Sequence, residues 1–244
     1  MSNYYIVGCG GVGGWVIHAL VKTLTKRDTL ILIDKDVLEE KNIDRQLFKT
    51  DDIGQTKASA MHNLLVDEAR CKIEFVEEYI NIDNPDVLEG ANPRSWIIVG
   101  ADNHPARAAA LHFSDKLGSS CIIAANEYED AEAYMYKPEW KDGPLDPRIY
   151  YPELLTETEG DPLRPPCTGE ILESAPQLAI ANMCAASYAM WLLWFWREKA
   201  QIFEEEDDDI KGTVPIKVNS TAGRLRAWSL KEMKEAQDGN SNSN

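Results

Sequence analysis

The sequence predicts an α/β fold: a Rossmann-like, mostly parallel sheet with helices on both faces and a small C-terminal β extension. Three observations predict it. An apolar run, Tyr4 to Val7, meets a glycine cluster, Gly8-Cys9-Gly10-Gly11-Val12-Gly13-Gly14. A helical stretch then leads to a second apolar run that ends at Asp34, giving a strand–glycine loop–helix–strand–acid unit. Beyond it, strand-like and helix-like patterns keep alternating, as right-handed crossovers between parallel strands require.

The elements follow in order. Residues 4–8 read as a strand, 12–26 as a helix and 29–34 as the second strand. Residues 54–70 read as a helix, with Ala58, Met61, Leu64 and Leu65 at helical spacing. Residues 71–79 and 95–99 are strands, the second running into Gly100-Ala101-Asp102, and 103–117 is a helix. Residues 121–125 and 131–137 are two more strands. The stretch 138–166 holds seven of the twelve prolines and reads as a long crossover loop. A long apolar helix is expected over 174–200, then a solvated acidic run at 204–209 and a closing pair of strands at 213–218 and 224–230. These make one domain over 1–232, with 233–244 as a disordered polar tail. Ligands on such sheets bind beyond the carboxyl ends of the strands, where Gly8, Asp34 and Asp102 all fall.

Composition narrows the function. A net charge of -16 argues against a nucleic-acid binder and against anionic membranes. The five cysteines (9, 71, 121, 167 and 184) suggest no disulfide framework, which fits a reducing, cytoplasmic setting. They form no zinc spacing with the four histidines, so no zinc is expected. The first strand follows Met1 almost at once and leaves no room for a signal peptide. Residues 178–196 carry no charge, but Ala, Ser and Asn crowd their first half. A core or subunit-interface helix is the expectation there, not a membrane span.

The chemistry lies in polar residues that a bare fold does not require. Asp34-Lys35-Asp36 precedes Asn42, Arg45 and Gln46; Lys57 follows; Asp102-Asn103 stands after the fourth strand. Around a nucleotide they compose an ATP site, with two cations for a triphosphate and one carboxylate for Mg²⁺.

With these residues the sequence resembles the ThiF/MoeB/HesA family and the adenylation domains of ubiquitin-activating enzymes. The matching residues are Gly8-x-Gly10-Gly11-x-Gly13, Asp34-x-Asp36, Asn42-x-x-Arg45-Gln46, Lys57, and Asp102-Asn103 with Arg107. The resemblance implies that Asp34 binds ribose, that Arg45 and Lys57 bind phosphates, that Asn42 and Gln46 shape the pocket, and that Asp102 binds Mg²⁺. It implies adenylation of the C-terminal carboxylate of a small ubiquitin-like (β-grasp) or sulfur-carrier protein with a flexible tail, often followed by transfer to sulfur. It also implies a homodimer. Cys167, at the end of the crossover loop in Pro165-Pro166-Cys167-Thr168, matches the place of the family's reactive cysteine; the alternative is an ordinary loop thiol. The chain departs from the family in lacking two Cys-x-x-Cys pairs and an N-terminal helix that supplies an arginine to the partner subunit. Short length and missing zinc cysteines further resemble ThiF-family proteins of bacterial PRTRC gene clusters. Two other readings stay open: an NAD-dependent oxidoreductase on the same βαβ start, and a non-catalytic nucleotide binder.

Overall fold

The computed structural model describes residues 2–126, 130–156, 179–198, 215–221, 224–229 and 232–233. Eight strands form one sheet in the order β3-β2-β1-β4-β5-β6-β7-β8. They are β1 (Asn3–Val7), β2 (Thr29–Ile33), β3 (Lys72–Val76), β4 (Trp96–Val99), β5 (Ser120–Asn126), β6 (Ala131–Tyr136), β7 (Pro215–Thr221) and β8 (Arg224–Ser229). The first five run parallel to their neighbours, and β6, β7 and β8 continue antiparallel. β1, β2 and β4 are apolar on both faces, as strands covered from both sides must be.

One face is covered by α1 (Gly11–Thr23), α2 (Lys57–Leu65) and α6 (Ala179–Glu198). Leu20, Met61 and Leu192 pack there on Ile6, Leu30, Ile98 and Ile122. The other face is covered by α3 (His104–Leu117), whose Ala109, Ala110 and Phe113 pack on Val7, Val99 and Ile123. The crossover from β1 turns to β2 and the later one turns to β4, so the strand order reverses between β1 and β4. That reversal opens a crevice at the strands' carboxyl ends. There Gly8 N donates to Ile33 O at 2.9 Å and Gly100 N to Val7 O at 2.8 Å, lacing the three strand ends together.

Two expectations need correction. The helix expected over 54–70 is shorter, because Thr56 caps it, accepting from Ser59 N at 3.3 Å, and Gly54 turns the chain before it at φ 92°. The stretch from 138 is not plain loop as far as it is described. It contains a turn of 3₁₀ helix at Pro138–Trp140 and two short helices, α4 (Pro147–Tyr150) and α5 (Glu153–Thr156). Pro138 and Pro147 stand at helix starts, where a missing N–H costs nothing. The rest of the crossover with Cys167, the acidic run 204–209 and residues 234–244 lie outside the described residues. At the last described residue, Met233 O accepts from Tyr150 Oη at 3.3 Å.

α6 is the one helix among the described residues long and apolar enough to cross a bilayer, with mean hydropathy 1.2. It packs against α1, β5 and β6. A stripe of Ile180, Met183, Trp191 and Trp194 on its outer side is exposed.

Candidate functional site

The site begins with close backbone packing. Gly8 takes φ 87°, and a side-chain carbon on Gly13 would stand 1.7 Å from Gly8 O. Only glycine permits the end of β1 and the first turn of α1 to touch in this way. α1 starts at Gly10 and Gly11 with no side-chain cap. Its first N–H groups therefore face the crevice with the positive end of the helix dipole, an arrangement suited to phosphate.

Asp34 is 8% exposed and anchors this loop. Its Oδ2 accepts from Cys9 N at 2.7 Å and its Oδ1 from Asp36 N at 2.9 Å. Burial pushes its carboxyl up to about 6, against the opposing pull of Lys57. Asp36 is the more open of the two acids. It accepts from Lys57 Nζ at 2.6 Å and from Tyr79 Oη at 2.7 Å. Burial alone would raise Asp36, but these two donors prevail and hold its pKa below the ordinary aspartate value. Lys57, with its side chain 12% exposed, is likewise opposed by burial yet raised by Asp34, Asp36 and Asp102. It is a firmly protonated cation set among three carboxylates.

The raised Asp34 carries a pH signature. An acid bound more tightly to its proton in the folded state than in the unfolded one gives stability that is fullest at low pH. That stability is lost as pH rises from the ordinary 3.8 through about 6. The shift corresponds to roughly 3 kcal/mol. Urea unfolding of wild type and Asp34→Asn between pH 4 and 7 should show the variant gaining relative stability as pH rises. A difference that does not change with pH would mean that Asp34 ionises normally.

Arg45, the second cation expected from the sequence, lies in the segment before α2. Asn42 is buried, its Oδ1 accepts from Glu39 N at 3.0 Å, and its carbonyl accepts from Gln46 N at 3.0 Å. Asn42 thus builds the turn that carries Arg45 and Gln46. Gln46 lies against Gly10. Asp102 is exposed and does not cap α3, because Asn103 does so, accepting from Ala106 N at 2.9 Å. Its carboxylate is left facing the crevice, where its charge reaches Lys57. Arg107 Nε donates to Ala101 O at 3.3 Å and braces the same turn.

The structure therefore brings Gly8, Gly10, Gly11, Gly13, Asp34, Asp36, Asn42, Gln46, Lys57 and Asp102 to this end of the sheet, with the Arg45 backbone beside them. Two residues join them that the sequence did not single out. Tyr79 follows β3 and reaches Asp36. Asn182 of α6 touches Gly11 and donates from Nδ2 to Arg45 O at 3.3 Å. Among the described residues no three His, Cys, Asp or Glu side chains converge as a metal site. A cavity of about 570 Å³ lies elsewhere, at the β3 edge between Glu74 and Glu89, and touches none of these groups.

Comparison with known proteins bears on the family and the fold. The profile of the ThiF family matches residues 1–193. A tRNA threonylcarbamoyladenosine dehydratase of Haemophilus influenzae is 29% identical over 115 residues, 46% of this chain and 42% of that protein. This chain thus spans less than half the length of that relative. The crystal structure of PaaA superposes with TM-score 0.64 at 20% identity, over 94% of this chain and 73% of that one. Escherichia coli MccB, solved with ATP, gives TM-score 0.61 at 19% identity, over 93% and 62%. The E. coli tRNA N6-threonylcarbamoyladenosine dehydratase TcdA, also solved with ATP, gives TM-score 0.61 at 16% identity, over 84% and 88%. At these identities the structural likenesses establish the fold.

Proposed function

Since the chain belongs to the ThiF family, we propose that it binds ATP with Mg²⁺ in this crevice and adenylates the C-terminal carboxylate of a small ubiquitin-like (β-grasp) or sulfur-carrier protein. One observation carries the reading: Lys57 is paired with Asp36 at 2.6 Å and feels the charges of Asp34 and Asp102, while Asp34 holds the glycine loop just before the uncapped start of α1. A nicotinamide site has no need of two cations and a free carboxylate. The α1 amides, Arg45 and Lys57 neutralise the triphosphate. Asp34 and Asp36 stand at the end of β2 to accept from ribose hydroxyls, with Tyr79 orienting Asp36. A carboxylate oxygen of the partner tail attacks the α-phosphorus, the α–β anhydride bond breaks, and pyrophosphate leaves with the electron pair. Asp102, an exposed carboxylate free of capping duty, suits an ion held by one protein oxygen and substrate phosphates. Bound there, Mg²⁺ supplies charge neutralisation on the phosphates.

The acceptor step is assigned to Cys167, which stands before the long helix in the crossover. Adenylation does not need a thiol, whereas transfer to sulfur does. Cys167→Ala should therefore keep ATP–pyrophosphate exchange driven by a β-grasp partner and lose any reducible conjugate, read by intact mass. A conjugate that persists in Cys167→Ala removes the cysteine from the mechanism. Titration calorimetry tests the nucleotide itself: MgATP should bind, and tight NAD binding without ATP would sink the proposal.

The reading includes a symmetric homodimer. The exposed Ile180, Met183, Trp191 and Trp194 form an apolar stripe on α6, next to the glycine-loop helix. A second copy covers it by two-fold symmetry. Sedimentation at micromolar concentration should give a dimer, and Trp191→Glu with Trp194→Glu a monomer. A wild-type monomer there would overturn the assembly.

A further inference from the structure

We infer that Asn182 is a positioning residue for the triphosphate: its carboxamide fixes the start of α1 against Arg45, so that loop and cation meet the phosphates at a set spacing. The inference rests on the ATP reading above and adds a residue from α6 to it.

Asn182 is 1% exposed on a helix face otherwise made of Ala181, Ala185, Ala186, Ala189 and Leu192. Packing alone would favour another apolar residue, since a buried amide costs stability unless its groups are satisfied. Nδ2 is satisfied, donating to the Arg45 carbonyl at 3.3 Å. Among the described residues, the buried Oδ1 has no hydrogen-bond partner. The group lies flat on Gly11. A side-chain carbon there would stand 2.4, 2.6 and 2.7 Å from its Nδ2, Cγ and Oδ1. Gly11 is glycine because this amide occupies the space, and Gly11 is the first residue of α1. One side chain thus touches both the helix start that receives phosphate and the backbone of the cation that neutralises it. The two elements also meet where Gln46 lies against Gly10, and Asn182 adds a second tie, from α6. An alkyl group of the same size would fill the space but supply no donor to the Arg45 carbonyl.

A residue that sets the spacing between loop and cation matters for a ligand spanning both. ATP does so; AMP, with one phosphate, needs only one of them. A residue that merely holds the fold would weaken both nucleotides together. The test is calorimetric titration of the full chain with MgATP and with AMP, for wild type, Asn182→Ala and Asn182→Leu, beside thermal unfolding of each. Asn182→Leu keeps the side-chain volume and adds no charge that would itself disfavour ATP over AMP, so it decides the matter if Asn182→Ala does not fold. It removes the donor to Arg45 O. The expected result is an ATP dissociation constant raised about tenfold or more, with AMP changed less than about threefold. Equal weakening of ATP and AMP, or unchanged ATP binding in both variants, overturns the inference while leaving the ATP reading intact. A wild type that binds neither nucleotide overturns that reading and the inference with it.

Discussion

Lys57→Met is expected to weaken ATP binding at least about tenfold and to lower ATP–pyrophosphate exchange by about 100-fold or more. The reason is the company Lys57 keeps. Its ammonium is set among Asp34, Asp36 and Asp102, and their charges hold its pKa above the ordinary lysine value despite burial. Without it the crevice presents three carboxylates to a tetra-anionic ligand, with Arg45 as the remaining site cation. A charge-assisted hydrogen bond lost in the ground state is worth roughly 1.5–3 kcal/mol. The transition state loses more, because charge builds on the leaving pyrophosphate in a partly desolvated site. Methionine preserves most of the stem volume, so circular dichroism should show an intact fold. A competing role for Lys57 is simply to neutralise Asp36, which it touches at 2.6 Å. Asp36→Asn separates the two roles. If Lys57 serves phosphate, the double variant with Lys57→Met stays inactive; if it serves only Asp36, the double variant recovers ATP binding.

The βαβ unit was legible because each part carries a local signal. Glycines must stand where Gly13 meets Gly8 O, and an acid must end β2 where its oxygens take two backbone amides. Parallel strands buried on both faces read as unbroken apolar runs, and those of β1, β2 and β4 do. The charges of the site were legible as types, though their division of labour was not. Asp34 and Asp36 look alike in sequence, yet one is buried in the loop and the other holds Lys57 and Tyr79. That difference depends on the path of the chain after β2, which no periodicity encodes. Tyr79 and Asn182 were missed for the same reason. Each sits in an element that explains it locally, a strand end and an apolar helix, and only the sheet order and α6 packing carry them to the crevice. At the start of α3 either Asp102 or Asn103 would serve as cap by residue type. The backbone chose Asn103, which leaves Asp102 to face the crevice. In the crossover, prolines that read as breakers instead start short helices.

At the opposite end of the sheet, Arg148→Met should cost roughly 3–5 kcal/mol of stability while leaving the nucleotide site intact. Arg148 Nε and Nη2 clasp Asp146 Oδ1 and Oδ2 at 2.8 and 2.9 Å. Its Nη1 reaches Asp115 Oδ2 at 2.9 Å, and Nη2 also reaches Tyr136 Oη at 2.7 Å. One guanidinium thus joins α3, β6 and the crossover at α4. Asp146 is 1% exposed, and the Arg148 and Asp115 side chains are 14% and 13% exposed, so water replaces little of what is lost. Burial opposes the charged guanidinium, but Asp146, Asp115 and Tyr136 outweigh it and raise its pKa further. In the methionine variant Asp115 keeps Lys141 at 3.2 Å, whereas Asp146 keeps only the backbone amides of residues 142 and 148. That stranded carboxylate is the main source of the cost. For a domain of this size each kcal/mol lowers Tm by about 2–4 °C, so a fall of roughly 10 °C is expected in calorimetry. Arg148→Lys should land between, since an ammonium cannot span two carboxylates and a phenol in one plane. Tyr136 pairs with Cys121 at the start of β5, whereas the crevice lies at the carboxyl ends of the strands. ATP affinity below the melting transition should therefore stay within about twofold of wild type. A loss under about 1 kcal/mol would show that the crossover is held by its apolar contacts, with Leu145 and Leu154 buried beneath it, and that the ion network only fixes its path.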